Sequence, residues 1–280
     1  MKDKRILTVQ DISCVGQCSL TVALPIISAC GIETAILPSA VLSTHTGGFK
    51  GYTFRDLTDD IPGIVDHWEK ENIKFDAVYT GYLGSIRQIE LVRDIFRRVG
   101  NDGCVKIVDP AMADHGVLYY GFDEKFAKTM ASLCGDADIV LPNITEACMM
   151  VDEPYIESGY DEAYIRRLMD KLLALGAGTV VLTGVSYEEG KLGAAVLAKG
   201  DEKISYYMHE RLPKNCHGTG DIFASAFTGA LMRGRTPLEA AKIAADFTLA
   251  GMKATVTDES HWYGTKFEKV LPQLIKALEA

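Results

Sequence analysis

The chain has 280 residues, of which 48% are hydrophobic and 24% are charged. This composition is ordinary for a globular protein and carries no sign of disorder. Its formal net charge of −9 gives no general attraction to nucleic acids or anionic membranes, because both attract clustered lysine and arginine. We therefore expect neither nucleic acid nor membrane as a partner.

The first apolar run stops at Gln10-Asp11, before it reaches the length of a secretory signal. No uninterrupted apolar stretch of the sequence reaches the roughly 18 to 20 residues of a membrane span. The seven cysteines are scattered without C-x-x-C spacing, which argues against a disulfide framework or a structural zinc site. These features predict a soluble, cytoplasmic protein with reduced thiols.

Short β-branched runs alternate with longer amphipathic segments along most of the chain. The runs that predict strands are residues 5–9, 34–37, 77–80, 105–108, 139–141 and 180–183. Helical segments between successive strands are typical of parallel strands joined by crossover helices. The predicted fold class is therefore α/β, and because no repeat or flexible linker interrupts the pattern, we expect residues 1–280 to form one domain.

The pattern changes after residue 190. Residues 192–197 and 203–208 flank a turn-prone Lys-Gly-Asp sequence and predict an antiparallel hairpin that extends the sheet. Residues 221–232 and 237–252 are apolar and rich in alanine at helical spacing, with Gly234 between them as a helix stop. We expect two buried or half-buried helices there.

In an open parallel sheet, ligands bind outside the carboxyl ends of the strands. The strongest signal for such a site is Gly218-Thr219-Gly220-Asp221, which opens the first of the two apolar helices. Glycines let several backbone N–H groups approach one anion, and the positive end of the helix dipole adds to the attraction. This anion hole suits a phosphoryl group in transfer, and Asp221 could accept the proton of a substrate hydroxyl. A tight turn capped by Asp221 is the alternative.

Asn143 and Glu146 follow the predicted strand at residues 139–141. If a helix begins there, the two side chains lie one turn apart on one face and place an amide oxygen and a carboxylate near a shared ion, such as hydrated Mg²⁺. The alternative is a capping box, in which Asn143 caps the helix and Glu146 reaches back.

Two further carboxylates follow the strand at residues 105–108. Asp109 comes directly after it, and Asp114 stands five residues later. Both could orient magnesium-bound water or screen phosphates through the metal ion. Aspartates of a surface turn are the alternative.

Hydroxyl groups occur at three more strand ends, in Ser13, Thr46 and Tyr82. Such a set could hold a polar aromatic ring by its heteroatoms, with Tyr82 packing on its face. Each hydroxyl could instead belong to a turn or a cap. His45 is predicted to be a hydrogen-bonded loop residue, not a ligand.

Taken together, these residues resemble the ribokinase superfamily and, within it, the pyridoxal and pyridoxamine kinases, over essentially the whole chain. The features that carry the resemblance are Ser13 with Thr46-Gly47, Thr80-Gly81-Tyr82, Asp109-Pro110, Asn143-x-x-Glu146 and Gly218-Thr219-Gly220-Asp221. Cys14 replaces the histidine that follows the serine in those kinases, which leaves the preferred substrate within the family open.

The resemblance implies a three-layer fold, with a mostly parallel central sheet flanked by helices. It also implies that ATP and Mg²⁺ take part in phosphorylating the 5'-hydroxyl of a vitamin B6 vitamer, a small-molecule substrate. By the same resemblance Asp221 is the base, and Gly218, Thr219 and Gly220 form the anion hole. The remaining implied site residues are Asp109, Asn143 and Glu146 around magnesium and phosphate, Thr183 and Gly184 on the nucleotide side, and Ser13, Thr46 and Tyr82 around the vitamer. Homodimers and activation by a monovalent cation such as K⁺ are implied as well.

Two other functions remain open at this point. A hydroxymethylpyrimidine kinase of the same superfamily acts on a similar heteroaromatic alcohol, but that group resembles this chain less because it carries cysteine where Asp221 stands. A non-catalytic B6-binding protein could keep the fold, although a pure binder needs neither a base nor magnesium ligands. The sequence favours the B6 kinase.

Overall fold

The computed structural model describes residues 3–213 and 216–279. The strands are β1 (Arg5–Ser13), β2 (Glu33–Leu42), β3 (Phe54–Asp56), β4 (Phe75–Thr80), β5 (Gly100–Val108), β6 (Ala113–Asp114), β7 (Val117–Leu118), β8 (Ile139–Val140), β9 (Thr179–Val185), β10 (Lys191–Ala198) and β11 (Ser205–Glu210). The helices are α1 (Leu20–Ala29), α2 (Ile61–Lys70), α3 (Ile86–Arg98), α4 (Glu124–Cys134), α5 (Ile144–Val151), α6 (Glu162–Ala174), α7 (Thr219–Met232), α8 (Pro237–Thr255) and α9 (Leu271–Glu279). Short 3-10 helices cover Glu259–His261 and Phe267–Val270.

In the described part of the chain, nine strands form one sheet in the order β11-β10-β9-β8-β5-β4-β1-β2-β3. The six strands from β9 to β2 in this order run parallel. The pairs β9–β10, β10–β11 and β2–β3 are antiparallel. Because the six parallel strands point the same way, their carboxyl ends lie along one edge of the sheet, where ligands bind in folds of this kind.

The predicted strands, hairpin and apolar helices are all confirmed, although most of the elements are longer than predicted. The hairpin consists of β10 and β11, and the two apolar helices are α7 and α8. The sequence did not predict β3 or the separate β6–β7 hairpin. These strands have only two or three residues, and all three residues of β3 are exposed, so neither periodicity nor an apolar run marks them.

Alternate residues of the central strands enter two different hydrophobic cores. Leu7 and Val78 face the core shared with helices α2 to α6, whereas Ile6 and Tyr79 face the core shared with α1, α7, α8 and α9. This period of two is the direct consequence of strand geometry. The sheet is therefore covered on both faces, and the predicted three-layer arrangement is confirmed.

Within residues 3–213 and 216–279, no helix combines the length and the apolar character that crossing a bilayer requires.

Helices α1 and α7 approach each other closely at Gly229. A Cβ atom at this position would overlap Sγ of Cys30 and lie 2.9 Å from its Cβ. Gly63, in α2, is the matched opposite case, because it is exposed and nothing lies within 4 Å of an added Cβ. Alanine substitutions at Gly229 and Gly63 therefore distinguish the effect of packing on stability from the effect of helix propensity.

We predict that Gly229→Ala lowers the free energy of unfolding by about 1 kcal/mol or more, because overpacking outweighs the gain in helix propensity. Gly63→Ala should instead raise it by up to about 1 kcal/mol. Urea denaturation of both variants measures this, and Cys30→Ala should recover part of the loss in the Gly229→Ala background. Equal effects of the two glycine substitutions would contradict the packing account.

Candidate active site

The N-terminus of α7 lies at the carboxyl edge of the sheet and is open to solvent. Gly218 has a φ of 77°, and a Cβ at this position would overlap the carbonyl oxygen of Gln17, so only glycine fits there. Gly220 is exposed, with open space where a Cβ would stand. The first N–H groups of a helix have no acceptor within the helix and carry the positive end of its dipole. This geometry suits an anion, and the assignment of Gly218, Thr219 and Gly220 to an anion hole stays a prediction.

Asp221 lies in the first turn of α7, in a half-buried position. Burial raises the pKa of its carboxyl group to about 8, and the negative charge of Asp109 adds to the rise. A hydrogen bond from the backbone N–H of Ser19 acts in the opposite direction. Asp221 can thus exchange a proton near neutral pH, which a general base for an alcohol requires.

Ser19 connects Asp221 to a second carboxylate. Its backbone N–H donates to Asp221 and its hydroxyl to Asp11, a buried residue of β1 whose pKa is raised by burial. Ser19 has a φ of 55°, a conformation rare for residues other than glycine. The sequence did not mark Ser19 as a site residue, because neither its strained backbone nor its two partners can be read from local pattern.

Asp109 and Glu146 are two neighbouring carboxyl groups, and both are buried. Burial raises the pKa of Glu146 to about 7. Burial also raises the pKa of Asp109 well above its usual range, and the neighbouring charge of Glu146 raises it further. Two like charges in one buried site disfavour double ionisation unless a cation compensates them.

Asn143 and Glu146 form a capping box at the start of α5, so the alternative left open by the sequence is observed. The side-chain oxygen of Asn143 accepts from Glu146 N–H at 2.9 Å, and Glu146 Oε2 accepts from Asn143 N–H at 2.8 Å. Glu146 Oε1 accepts from the backbone N–H of Met112 at 3.1 Å. Both carboxylate oxygens of Glu146 are therefore already engaged by the backbone, which favours contact with a cation through water over direct ligation.

The buried acidic pair fits a magnesium ion that also binds phosphate. Mg²⁺ keeps several waters and usually takes only one or two carboxylates from the protein, with phosphate oxygens completing its coordination. In residues 3–213 and 216–279, no three His, Cys, Asp or Glu side chains lie together as a metal-binding group. A metal ion here would therefore need phosphate oxygens and water as further ligands. Asp109 is the best-placed ligand, since Oδ1 accepts only the backbone N–H of Ala111 at 3.2 Å. Asp114 is exposed, with Oδ2 3.6 Å from His115 Nε2.

The predicted substrate residues lie at neighbouring strand ends. Ser13 donates to Asp11 at 3.1 Å and is buried. Tyr82 is largely buried, which raises its pKa to about 12 together with the charge of Asp11. Thr46 is exposed, in the loop after β2. Thus Ser13 and Tyr82 both lie near Asp11, and the assignment of all three hydroxyls to a substrate stays a prediction.

Thr183 and Gly184 lie at the end of β9, beside the capping box. Thr183 N–H donates to the carbonyl oxygen of Pro142 at 2.9 Å, and Thr183 forms a parallel bridge with Asn143. Gly184 is exposed and has a φ of 79°, with open space around it. The turn is therefore accessible to a ligand from the same edge of the sheet.

Tyr119 is a site residue that the sequence did not suggest. It follows the β6–β7 hairpin, and its backbone N–H donates to the carbonyl oxygen of Met112 at 2.8 Å. Tyr119 is 43% exposed, and partial burial together with the negative charges of Glu146, Asp114, Asp109 and Asp221 raises the pKa of its phenol group, which indicates that it lies near the acidic centre. Only the hairpin, which the sequence left unpredicted, brings it there.

A three-layer fold with this sheet order and a glycine turn at the start of α7 is that of the ribokinase-like kinases. The family model for phosphomethylpyrimidine kinase matches residues 65–265, and the chain belongs to that family. It is therefore a phosphotransferase.

Three similar proteins illustrate the relationship. A candidate phosphomethylpyrimidine kinase from Bacteroides thetaiotaomicron is 38% identical with a TM-score of 0.93, over 98% of this chain and 94% of that one. A second crystal form of the Bacteroides protein, with pyridoxal, gives a TM-score of 0.91. Pyridoxal kinase from Lactobacillus plantarum is 29% identical with a TM-score of 0.90, over 99% and 98% of the two chains. The hydroxymethylpyrimidine/phosphomethylpyrimidine kinase of Bacillus subtilis is 27% identical over 228 residues, 80% of this chain and 78% of that protein.

Some relatives are much longer. The chain spans only 43% of a chloroplastic thiamine biosynthetic bifunctional enzyme from rice, with 24% identity over 253 residues.

We predict that Asp221→Asn stabilises the unliganded protein at pH 8 and above. The pKa of Asp221 in the folded protein, about 8, exceeds the usual value of 3.8. The neutral carboxyl group therefore stabilises the folded wild type fully near pH 4, and this stabilisation is lost as the pH rises through 8. The variant should therefore melt roughly 3 to 6 °C higher at pH 8.5, with the difference vanishing near pH 4. Thermal melts without nucleotide or divalent cation measure this.

The exposed Asp59, whose substitution by asparagine should shift the melting temperature little at any pH, provides the control. A gain for Asp221→Asn that stays constant between pH 4 and 8.5 would rule out ionisation as its cause.

Proposed function

We propose that the protein is an ATP-dependent kinase that phosphorylates the 5'-hydroxyl of a vitamin B6 vitamer: pyridoxal, pyridoxamine or pyridoxine. The observation that carries this proposal is the position of Asp221, whose pKa is raised to about 8 directly beside the open anion-binding turn of α7. A base and an anion site side by side match the needs of phosphoryl transfer to an alcohol.

Asp221 would take the proton of the hydroxymethyl group as the hydroxymethyl oxygen attacks the γ-phosphorus of ATP. The bond between that phosphorus and the β–γ bridging oxygen would break, and ADP would leave. Its raised pKa makes the carboxylate a stronger base than an exposed aspartate, while a large fraction stays ionised near pH 8. The hydrogen bond from Ser19 N–H holds the Asp221 carboxylate in one orientation, so the base is already oriented when the substrate binds.

The backbone N–H groups of Thr219 and Gly220 would stabilise the negative oxygens of the phosphoryl group in transfer. Asp109 would hold Mg²⁺ directly, and Glu146 would hold it through water, since its own oxygens are bound by backbone amides. When bound, the ion would supply charge neutralisation for the phosphates. Thr183 and Gly184 line the edge on which the nucleotide would lie.

The B6 substrate is supported by the polar and aromatic groups at the opposite end of the same edge. Ser13 and Thr46 offer hydroxyls for ring heteroatoms, and Tyr82 offers an aromatic face. Two relatives support this assignment, because the Bacteroides protein was crystallised with pyridoxal and the Lactobacillus protein is a pyridoxal kinase.

A hydroxymethylpyrimidine kinase is the second candidate, favoured by the family model and by the Bacillus subtilis relative. Asp221 argues against it, because the resemblance places cysteine at this position in that group. A B6-binding protein without activity is disfavoured by the cluster of buried carboxyl groups, which burial destabilises and which binding alone would not require.

We predict release of ADP when the purified protein, ATP and Mg²⁺ are combined with a B6 vitamer. A coupled assay across pyridoxal, pyridoxamine, pyridoxine and hydroxymethylpyrimidine should give the highest kcat/KM with one of the first three. A higher value with the pyrimidine would assign the second function. Tight binding of a vitamer with no ADP release from any of the four would support the binding protein.

We predict that Asp221→Asn lowers kcat by about 10² to 10⁴, the usual contribution of a general base, with little change in KM. Steady-state kinetics at pH 8 measure this, with Asp59→Asn as the matched control. Unchanged kcat in Asp221→Asn would remove Asp221 as the base.

We predict that Asp109→Asn raises the Mg²⁺ concentration needed for half-maximal activity by about tenfold, since one charged ligand is lost. Asp114→Asn should raise it less, because Asp114 is exposed. Magnesium titrations at saturating ATP compare the two, and the reverse order would transfer the metal contact to Asp114.

A further inference from the structure

The segment at residues 258–265, here called the C-terminal brace, packs against the proposed substrate side of the site. We propose that His45 is a positioning residue that fixes the neighbouring Thr46 against this brace and thereby sets the affinity for the phosphoryl acceptor. The inference rests on the proposed function for the identity of the acceptor, but the contact between His45 and the brace does not.

Both ring nitrogens of His45 bind the backbone. The N–H of Gly47 donates to Nδ1 at 3.1 Å, so Nδ1 is an acceptor and the proton of the neutral ring is on Nε2. Nε2 then donates to the carbonyl oxygen of Tyr263 at 2.6 Å. Burial lowers the pKa of His45, which favours this neutral form. No ring nitrogen is left for a substrate, so His45 can act on the pocket only through its neighbours.

The imidazole is enclosed by three different loops. It is 5% exposed, and a Cβ on Gly16 would overlap its Cδ2 atom, so the loop after β1 lies directly against the ring. The ring of His217, next to the anion-binding turn, lies 5.2 Å from it between centroids. Phe49 packs edge-on at 5.0 Å. His45 is thus the common contact of the loops that carry Ser13, Thr46 and Gly218.

The brace binds all three loops by independent contacts. Thr265 Oγ1 donates to the carbonyl oxygen of His217 at 3.1 Å. His261 Nε2 lies 3.0 Å from Gln17 Oε1. Trp262 packs on Phe49 at 4.6 Å between ring centroids and lies against Gly48. The brace therefore closes the outer side of all three loops, and the hydrogen bond to His45 fastens it at the centre.

Thr46 lies between His45 and Gly47, which the hydrogen bond from Gly47 N–H to the imidazole joins. The side chain of Thr46 is exposed. Loss of the imidazole would release the loop from the brace without touching Asp221, Asp109 or Glu146. The expected kinetic effect is therefore a higher KM for the acceptor, with the KM for ATP unchanged and kcat little affected.

Trp262 offers a readout that needs no activity. The chain has two tryptophans, and Trp68 lies in α2, packed on Phe75. In a Trp68→Phe background, the fluorescence of Trp262 reports whether the brace is docked. His45→Ala should increase quenching of Trp262 by acrylamide and raise the KM for the best vitamer about tenfold, equivalent to about 1.4 kcal/mol. His45→Gln, which can still donate to Tyr263, should show smaller changes in both.

Thr265→Val tests the brace without altering His45 and should also raise the acceptor KM. His67→Ala, an exposed histidine of α2, is the matched control and should change neither quantity. Unchanged quenching in His45→Ala would overturn the proposal, as would increased quenching with an unchanged acceptor KM. If wild type phosphorylates no vitamer, the proposed function fails, while the quenching result alone decides whether His45 holds the brace.

Discussion

The structure depends on one constraint, the crowding of like charges at the carboxyl edge of the sheet. Burial raises the pKa values of Asp11, Asp109, Glu146 and Asp221. Repulsion adds to the rise at Asp109, from Glu146, and at Asp221, from Asp109 and Asp11. Such an arrangement opposes folding at neutral pH. The surrounding structure compensates it in part, through backbone N–H groups directed at the carboxylates and a helix N-terminus beside them. A cation and phosphate bound together would remove the remaining repulsion, so the same feature that weakens the free protein prepares it for its ligands.

Much of the fold could be predicted from the sequence, because periodicity and turn residues are local. The six parallel strands, the hairpin and helices α7 and α8 follow directly from such signals. The Gly218 to Asp221 run was equally visible as the start of α7, since glycines before an apolar helical segment are a local signal. The short strands β3, β6 and β7 were missed, because two or three residues carry no period and depend on tertiary partners.

The candidate site was less completely predictable. The sequence left a metal-binding pair and a capping box open for Asn143 and Glu146, and the structure shows the capping box. Their part in binding a metal ion stays a prediction. Ser19 could not be found from sequence, since its role arises where two distant carboxylates meet its backbone and its hydroxyl. The positions of Tyr119 and of the C-terminal brace at the site could not be predicted from the sequence for the same reason. Residues that only the tertiary fold brings together leave no local sequence pattern, whereas residues that form a turn do.

The distance in sequence between the parts of the site has a consequence for biosynthesis. Strands β1, β2, β4 and β5 are translated within the first two fifths of the chain and can pair early, whereas α7, α8, the brace and α9 follow much later. His45 and Tyr263, which hydrogen bond, are 218 residues apart. Until α7, α8 and α9 dock, only helix α1 covers the Ile6 and Tyr79 face of the nascent sheet, and Asp221 is not yet beside Asp11. Docking of α7 then brings these carboxyl groups together in a buried site, which burial and repulsion disfavour. We expect the nascent chain to depend most on chaperones in this late interval, while part of its apolar face is exposed.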